Sequence, residues 1–63
     1  DGLIGGLYRH FTRYPETLPG EYHSILEKEG AERAACDYIS GMSDRYAINV
    51  FGELYIPKPW ADL

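Results

Sequence analysis

The sequence has 63 residues, of which 44% are hydrophobic and 14% aromatic, and its ten acidic against six basic side chains give a formal charge of −4. The basic residues Arg9, Arg13, Lys28, Arg33, Arg45 and Lys58 are scattered, which excludes the basic footprint of a nucleic-acid binder. No apolar run approaches the roughly 20 residues that cross a bilayer, and no charged-then-apolar leader is recognisable, so the sequence reads as soluble and cytoplasmic.

A globular chain of about 60 residues hides only about 60% of the surface its unfolded form exposes, and it ordinarily needs a staple or a partner. Cys36 is the only cysteine, so neither an internal disulfide nor a cysteine-rich zinc knuckle can supply one. Cys36 is expected to be a small buried apolar residue. Because the sequence opens at Asp1 directly into an apolar stretch, it is expected to be a piece of a longer protein.

Leu3, Ile4, Leu7, Tyr8 and Phe11 fall at spacings of three and four, which predicts an amphipathic helix from about Gly2 to Tyr14. Gly2, Gly5 and Gly6 weaken it and leave room for a neighbouring helix to approach. Pro15 to Gly20 forms a loop, because Pro15 disfavours helical geometry in Tyr14. A short helix over Glu21 to Glu29 carries Tyr22, Ile25 and Leu26 on one side, with Gly30 placed to end or bend it.

Ala31 to Ser40 favours a further helix with Ala31, Ala34, Ala35, Tyr38 and Ile39 as its apolar face, Arg33 set to pair with Asp37, and Gly41 as its stop. Ser43 reads as an N-cap with Asp44 complementing the positive helix end. Ala47, Val50, Phe51, Leu54 and Tyr55 then mark the next helix, interrupted by Gly52. Pro57 and Pro59 impose an extended tail that carries Trp60. The fold class is all-α, three to four short helices with a proline-aromatic tail in a single segment, 1–63.

The residues give little support for catalysis. His10 and His23 belong to no His-Asp pair or His-x-x-x-His pattern and are expected as ordinary, partly exposed side chains. No serine or Cys36 has a histidine and an acid at a spacing that suggests a nucleophile, and no glycine-rich phosphate loop follows a strand. The dense segment Asp37-Tyr38-Ile39-Ser40-Gly41-Met42-Ser43-Asp44-Arg45-Tyr46-Ala47 stands apart.

Two readings of that segment stay open. In the structural one, which is preferred, Asp44 caps a helix, Arg45 pairs with an acid, and Tyr38 and Tyr46 bury their rings with hydroxyls hydrogen-bonded. In the functional one, Arg45 or a tyrosine hydroxyl approaches the phosphate or sugar of a nucleotide held mainly by residues elsewhere in a parent protein.

Residues Asp37 to Ala47 resemble the Asp-Tyr-Ile-Ala-Gly-Met-Thr-Asp-Arg-Tyr-Ala signature of bacterial deoxyguanosine triphosphate triphosphohydrolase-like proteins of the HD superfamily, departing only at Ser40 and Ser43. Gly6-Leu7-Tyr8, the Pro15-Glu16-Thr17-Leu18-Pro19 turn and the closing Leu54-Tyr55-Ile56-Pro57-Lys58-Pro59-Trp60 are similar to the same family in the same order. The resemblance implies a C-terminal segment of a larger helical HD-type fold.

For the parent, the resemblance implies hydrolysis of a dNTP to the deoxynucleoside and triphosphate, with a divalent metal such as Mg or Mn activating water. The family's metal-binding histidines and aspartates have no counterpart here, so catalytic and metal residues are none, and this piece alone is expected not to be an enzyme. Asp37, Tyr38, Asp44, Arg45 and Tyr46 remain as a structural or substrate-proximal corner. Expected partners are the remainder of the HD catalytic domain, a second copy in a homo-oligomer and the parent's dNTP substrate. The alternative function is a stand-alone, non-enzymatic helical interaction or oligomerisation module.

Overall fold

The structure, a computed structural model, describes residues 2–55. The expected proline-aromatic tail with Pro57, Pro59 and Trp60 lies outside the described residues. Within them the order is α1 (Gly2–Arg13), α2 (His23–Glu29), α3 (Ala31–Ser40) and α4 (Asp44–Tyr55), with short 3-10 turns at Pro15–Thr17 and Gly20–Tyr22. No strand occurs among the described residues, so the all-α reading holds.

The first helix ends at Arg13, one residue before the expected Tyr14, where Pro15 opens a 3-10 turn. The second begins later than expected, because Gly20–Tyr22 forms a tighter turn that feeds into His23. Gly30 separates α2 from α3 at φ +94° and ψ 170°, a backbone state open almost only to glycine. Its N–H still bonds to the Leu26 carbonyl at 3.0 Å while its own carbonyl accepts from Ala34 at 3.1 Å. One residue thus closes one helix and opens the next.

Packing follows the apolar stripes. Helix α1 lies against both α3 and α4, and α2 covers another side of α3. Ala34 and Ala35 are fully buried, so α3 presents almost bare backbone to its neighbours, and Leu7 of α1 is fully buried in the same core. Phe11, Leu18, Tyr38, Ile39 and Ala47 complete the core, with Leu3, Tyr22, Ile25, Leu26, Met42, Val50, Phe51 and Leu54 packed around it.

Two contacts fasten α4 to α1. The Phe51 ring sits over Gly6, where a side chain would collide with it, and the Tyr55 hydroxyl donates to the Gly6 carbonyl at 2.8 Å. The α1 glycines were expected to admit a neighbour missing from the sequence, but at Gly6 the close neighbour is α4 of the same segment.

Cys36 is exposed rather than buried. The inward stripe of α3 is Ala34, Ala35, Tyr38 and Ile39, and Cys36, one step of about 100° past Ala35, turns off its edge.

Candidate functional site

The signature segment forms the corner between α3 and α4. The Gly41 and Met42 amides donate back to the Tyr38 and Ile39 carbonyls at 3.3 and 3.0 Å, closing α3. Ser43 then accepts the Tyr46 amide on its Oγ at 3.1 Å and the Ala47 amide on its carbonyl at 2.9 Å, which makes it the N-cap of α4. Asp44 is not the capping side chain; it occupies the first turn, where its charge complements the amide-rich helix end.

Tyr38 is the aromatic hub of the corner. Its ring meets Phe11 edge-on at 5.2 Å, Tyr22 at 5.1 Å and Tyr46 at 6.3 Å between centroids. Its hydroxyl is hydrogen-bonded to the Tyr46 hydroxyl at 3.0 Å. Burial pushes the Tyr38 phenol well above the ordinary tyrosine range, and the Tyr46 hydrogen bond and the negative charge that Tyr46, Tyr22 and Glu53 can carry push it the same way. Between two phenols, one O–H closes the pair and the other is left to donate outward.

That outward side opens into a broad cleft of about 660 Å³ bounded by the end of α1, the Thr17 turn, the corner and α4. His10, Thr17, Arg45, Asn49 and Glu53 face it around an apolar floor that includes Phe11 and Val50. His10 is half-buried and anchored, with its Nε2 3.3 Å from Thr17 Oγ1 and its ring edge-on to Phe11 at 4.9 Å. The cleft is bipolar, with the Arg45 guanidinium and the Glu53 carboxylate both on its wall.

The five corner residues therefore separate. Tyr38, Arg45 and Tyr46 meet at the cleft, whereas Asp37 turns to Arg33, whose Nε donates to its carboxylate at 3.2 Å. Tyr46 keeps its hydroxyl bond but is not buried: the residue is 48% exposed at the cleft. The expected pairing of Arg45 with an acid does not form: the ion pairs among the described residues are those of Arg33 with Glu29 and Asp37.

His10 was legible only as a polar position on α1, since its place in the cleft depends on α4 folding back across it. His23, also expected as an ordinary side chain, uses its ring N–H to hold the Leu18 carbonyl at 2.9 Å and so fastens the loop.

Residues 1–53 match the family described as the phosphohydrolase-associated domain. The chain belongs to that family.

This phosphohydrolase-associated segment is similar to several curated proteins named deoxyguanosinetriphosphate triphosphohydrolase-like protein. One, from Caldanaerobacter subterraneus subsp. tengcongensis, is 39% identical over 58 residues, which cover 92% of the chain and 17% of that relative. Another, from Geobacter metallireducens, is 41% identical over 51 residues, or 81% of the chain and 13% of the relative. A third, from Clostridium perfringens, is 46% identical over 43 residues, 68% of the chain and 13% of the relative. The segment thus spans roughly a sixth to an eighth of the length of these relatives. No solved structure matches it.

A divalent metal, suggested by HD-type phosphohydrolase relatives, finds no set of ligands in the segment. Among the described residues no three of His, Cys, Asp and Glu converge as a metal would require. Nor is any helix there long and apolar enough to cross a membrane.

Proposed function

We propose that the segment braces the catalytic HD core of a dNTP triphosphohydrolase, an enzyme cleaving a dNTP with water into deoxynucleoside and triphosphate, and contributes no catalytic group of its own. The supporting observation is that the signature corner is used for packing: Tyr38 stands where α1, the Gly20–Tyr22 turn and α4 meet, its ring set against those of Phe11, Tyr22 and Tyr46. In this reading the metal and its ligands lie in the parent's catalytic domain, outside the segment, and the protein works in the cytoplasm.

The test is Tyr38→Leu in the full-length parent. The expected result is a lower unfolding temperature with triphosphate release per folded molecule unchanged. Unchanged stability would refute the bracing role, and lost turnover in fully folded protein would replace it with a part in the chemistry.

A second reading is favoured by one feature, the Arg45 guanidinium at the cleft with no acidic partner among the described residues. In the parent it would meet substrate phosphate or sugar from the catalytic domain. Arg45→Ala would then lower kcat/KM far more than it lowers stability. Normal kinetics in that variant would remove the idea.

A further inference from the structure

A second concavity, of about 520 Å³, runs between α1 and α3 and shares no residue with the polar cleft. Ile4, Gly5 and Tyr8 line one side, and Cys36, Ile39 and Ser40 the other. None of the six is charged, although 25% of the sequence is. Ile4 and Tyr8 are 44% and 38% exposed, and a Cβ on Gly5 would meet nothing within 4 Å. Apolar side chains and open backbone therefore face water together, in a small uncharged hollow that a neighbouring element could cover.

We propose that this groove receives an amphipathic helix from the remainder of the same polypeptide, which sets apolar side chains at i and i+4 between the Ile4–Tyr8 ridge and the Cys36–Ser40 ridge. The inference rests on the reading of the chain as part of a longer triphosphohydrolase. In relatives of that kind the matched residues make up 17% and 13% of the protein, so most of the polypeptide lies elsewhere.

Two further observations select this occupant. An uncharged lining disfavours nucleic acid or an acidic or basic peptide, whose charges would lose water without gaining a partner. The groove is also small: six residues line it, against about 20–30 on each side of a standard interface between separate proteins. A tethered helix sidesteps the entropy lost when free partners associate, so a short groove suffices for it. The small side chains of Cys36 and Ser40, with bare Gly5 opposite, let its backbone come close.

Cys36 supplies the readout, because it is exposed in the segment and would be covered by the docked helix. The full-length parent is alkylated with iodoacetamide, native and in urea, and the label is followed by mass spectrometry on the tryptic peptide 34–45. Native labelling is expected to be slower by at least about tenfold, as for a site exposed only by local opening, and to stay so on strong dilution. Tyr8→Asp in the parent should restore fast labelling with helical content retained.

Native labelling as fast as in urea would overturn the proposal. So would protection that fades on dilution, since that outcome means a second copy is the occupant. Protection that survives Tyr8→Asp would place the covering element elsewhere. Because no arm uses turnover, a parent that fails to hydrolyse dNTPs would sink the proposed function while leaving the groove result to stand separately.

Discussion

A methyl group added at Gly6 tests the seam between α1 and α4. The new Cβ would stand 2.7 Å from Phe51 Cε2, with Cδ2 and Cζ at 3.5 and 3.7 Å. Phe51 cannot simply swing away, since its ring is packed against Tyr55 at 4.6 Å, and Tyr55 in turn donates to the Gly6 carbonyl. Overpacking of this kind costs about 1–3 kcal/mol, and strain on the Tyr55 bond removes part of a further ~1 kcal/mol. Alanine returns about 0.5–1 kcal/mol through helix propensity. The net expectation for Gly6→Ala is a loss of roughly 1–2 kcal/mol, a large share of the ~3–5 kcal/mol a core this small supplies. Urea titration of the free chain by far-ultraviolet circular dichroism measures it, and each kcal/mol corresponds to about 4–8 °C in Tm. Truncating the ring with Phe51→Leu should make the same methyl tolerable, so the two substitutions should be strongly non-additive. Gly6→Ala as stable as the parent sequence, or additivity with Phe51→Leu, would refute the close-packed seam.

Gly30→Ala should cost about 1–3 kcal/mol in the same titration because the junction holds a glycine-only conformation, although the added methyl meets nothing within 4 Å. Ser43→Ala removes the cap of α4 and should cost about 1 kcal/mol, with Ser43→Asp restoring most of it. Tyr38→Phe should cost about 0.5–1.5 kcal/mol near neutral pH by breaking the hydroxyl pair. Its pH dependence has a definite sign: the folded phenol holds its proton above the unfolded value of about 10, so its stability is complete below that pH and drains away above it. The phenylalanine variant should therefore lose less stability than the natural sequence between about pH 9 and 11.

What could be read in advance was local. The boundaries of α3 follow from Ala31 to Ser40 being flanked by Gly30 and Gly41, and the Ser43 cap follows from a hydroxyl just before an apolar period. The Arg33–Asp37 pair follows from i,i+4 spacing alone. The long-range contacts carry no such signal. Tyr55 reaches Gly6 across 49 positions, and His10 enters the cleft only because α4 closes over it. Cys36 was misplaced for a related reason: a small apolar residue at the edge of a helix stripe is buried or bare according to what lies beside it, and here, among the described residues, it is left exposed. The resemblance at Asp37 to Ala47 located the corner, yet it could not show that Asp37 faces Arg33 while Arg45 and Tyr46 face the cleft.

Gly5 and Gly6 are neighbours on α1 with opposite surroundings, and that contrast extends to the parent protein. Gly6 is filled by Phe51, whereas Gly5 looks into the uncharged groove beside Ile4 and Tyr8. In the free chain Gly5→Ala meets nothing and should stabilise by about 0.5–1 kcal/mol, the ordinary helix gain. In the full-length parent a helix lying in the groove would meet the new methyl at its point of closest approach, and the same substitution should destabilise by about 1 kcal/mol or more. Thermal unfolding of both forms reads the sign. A gain in both would mean that the groove stays open in the intact protein, and a loss in the free chain would mean that α1 and α3 already meet more closely than the open groove requires.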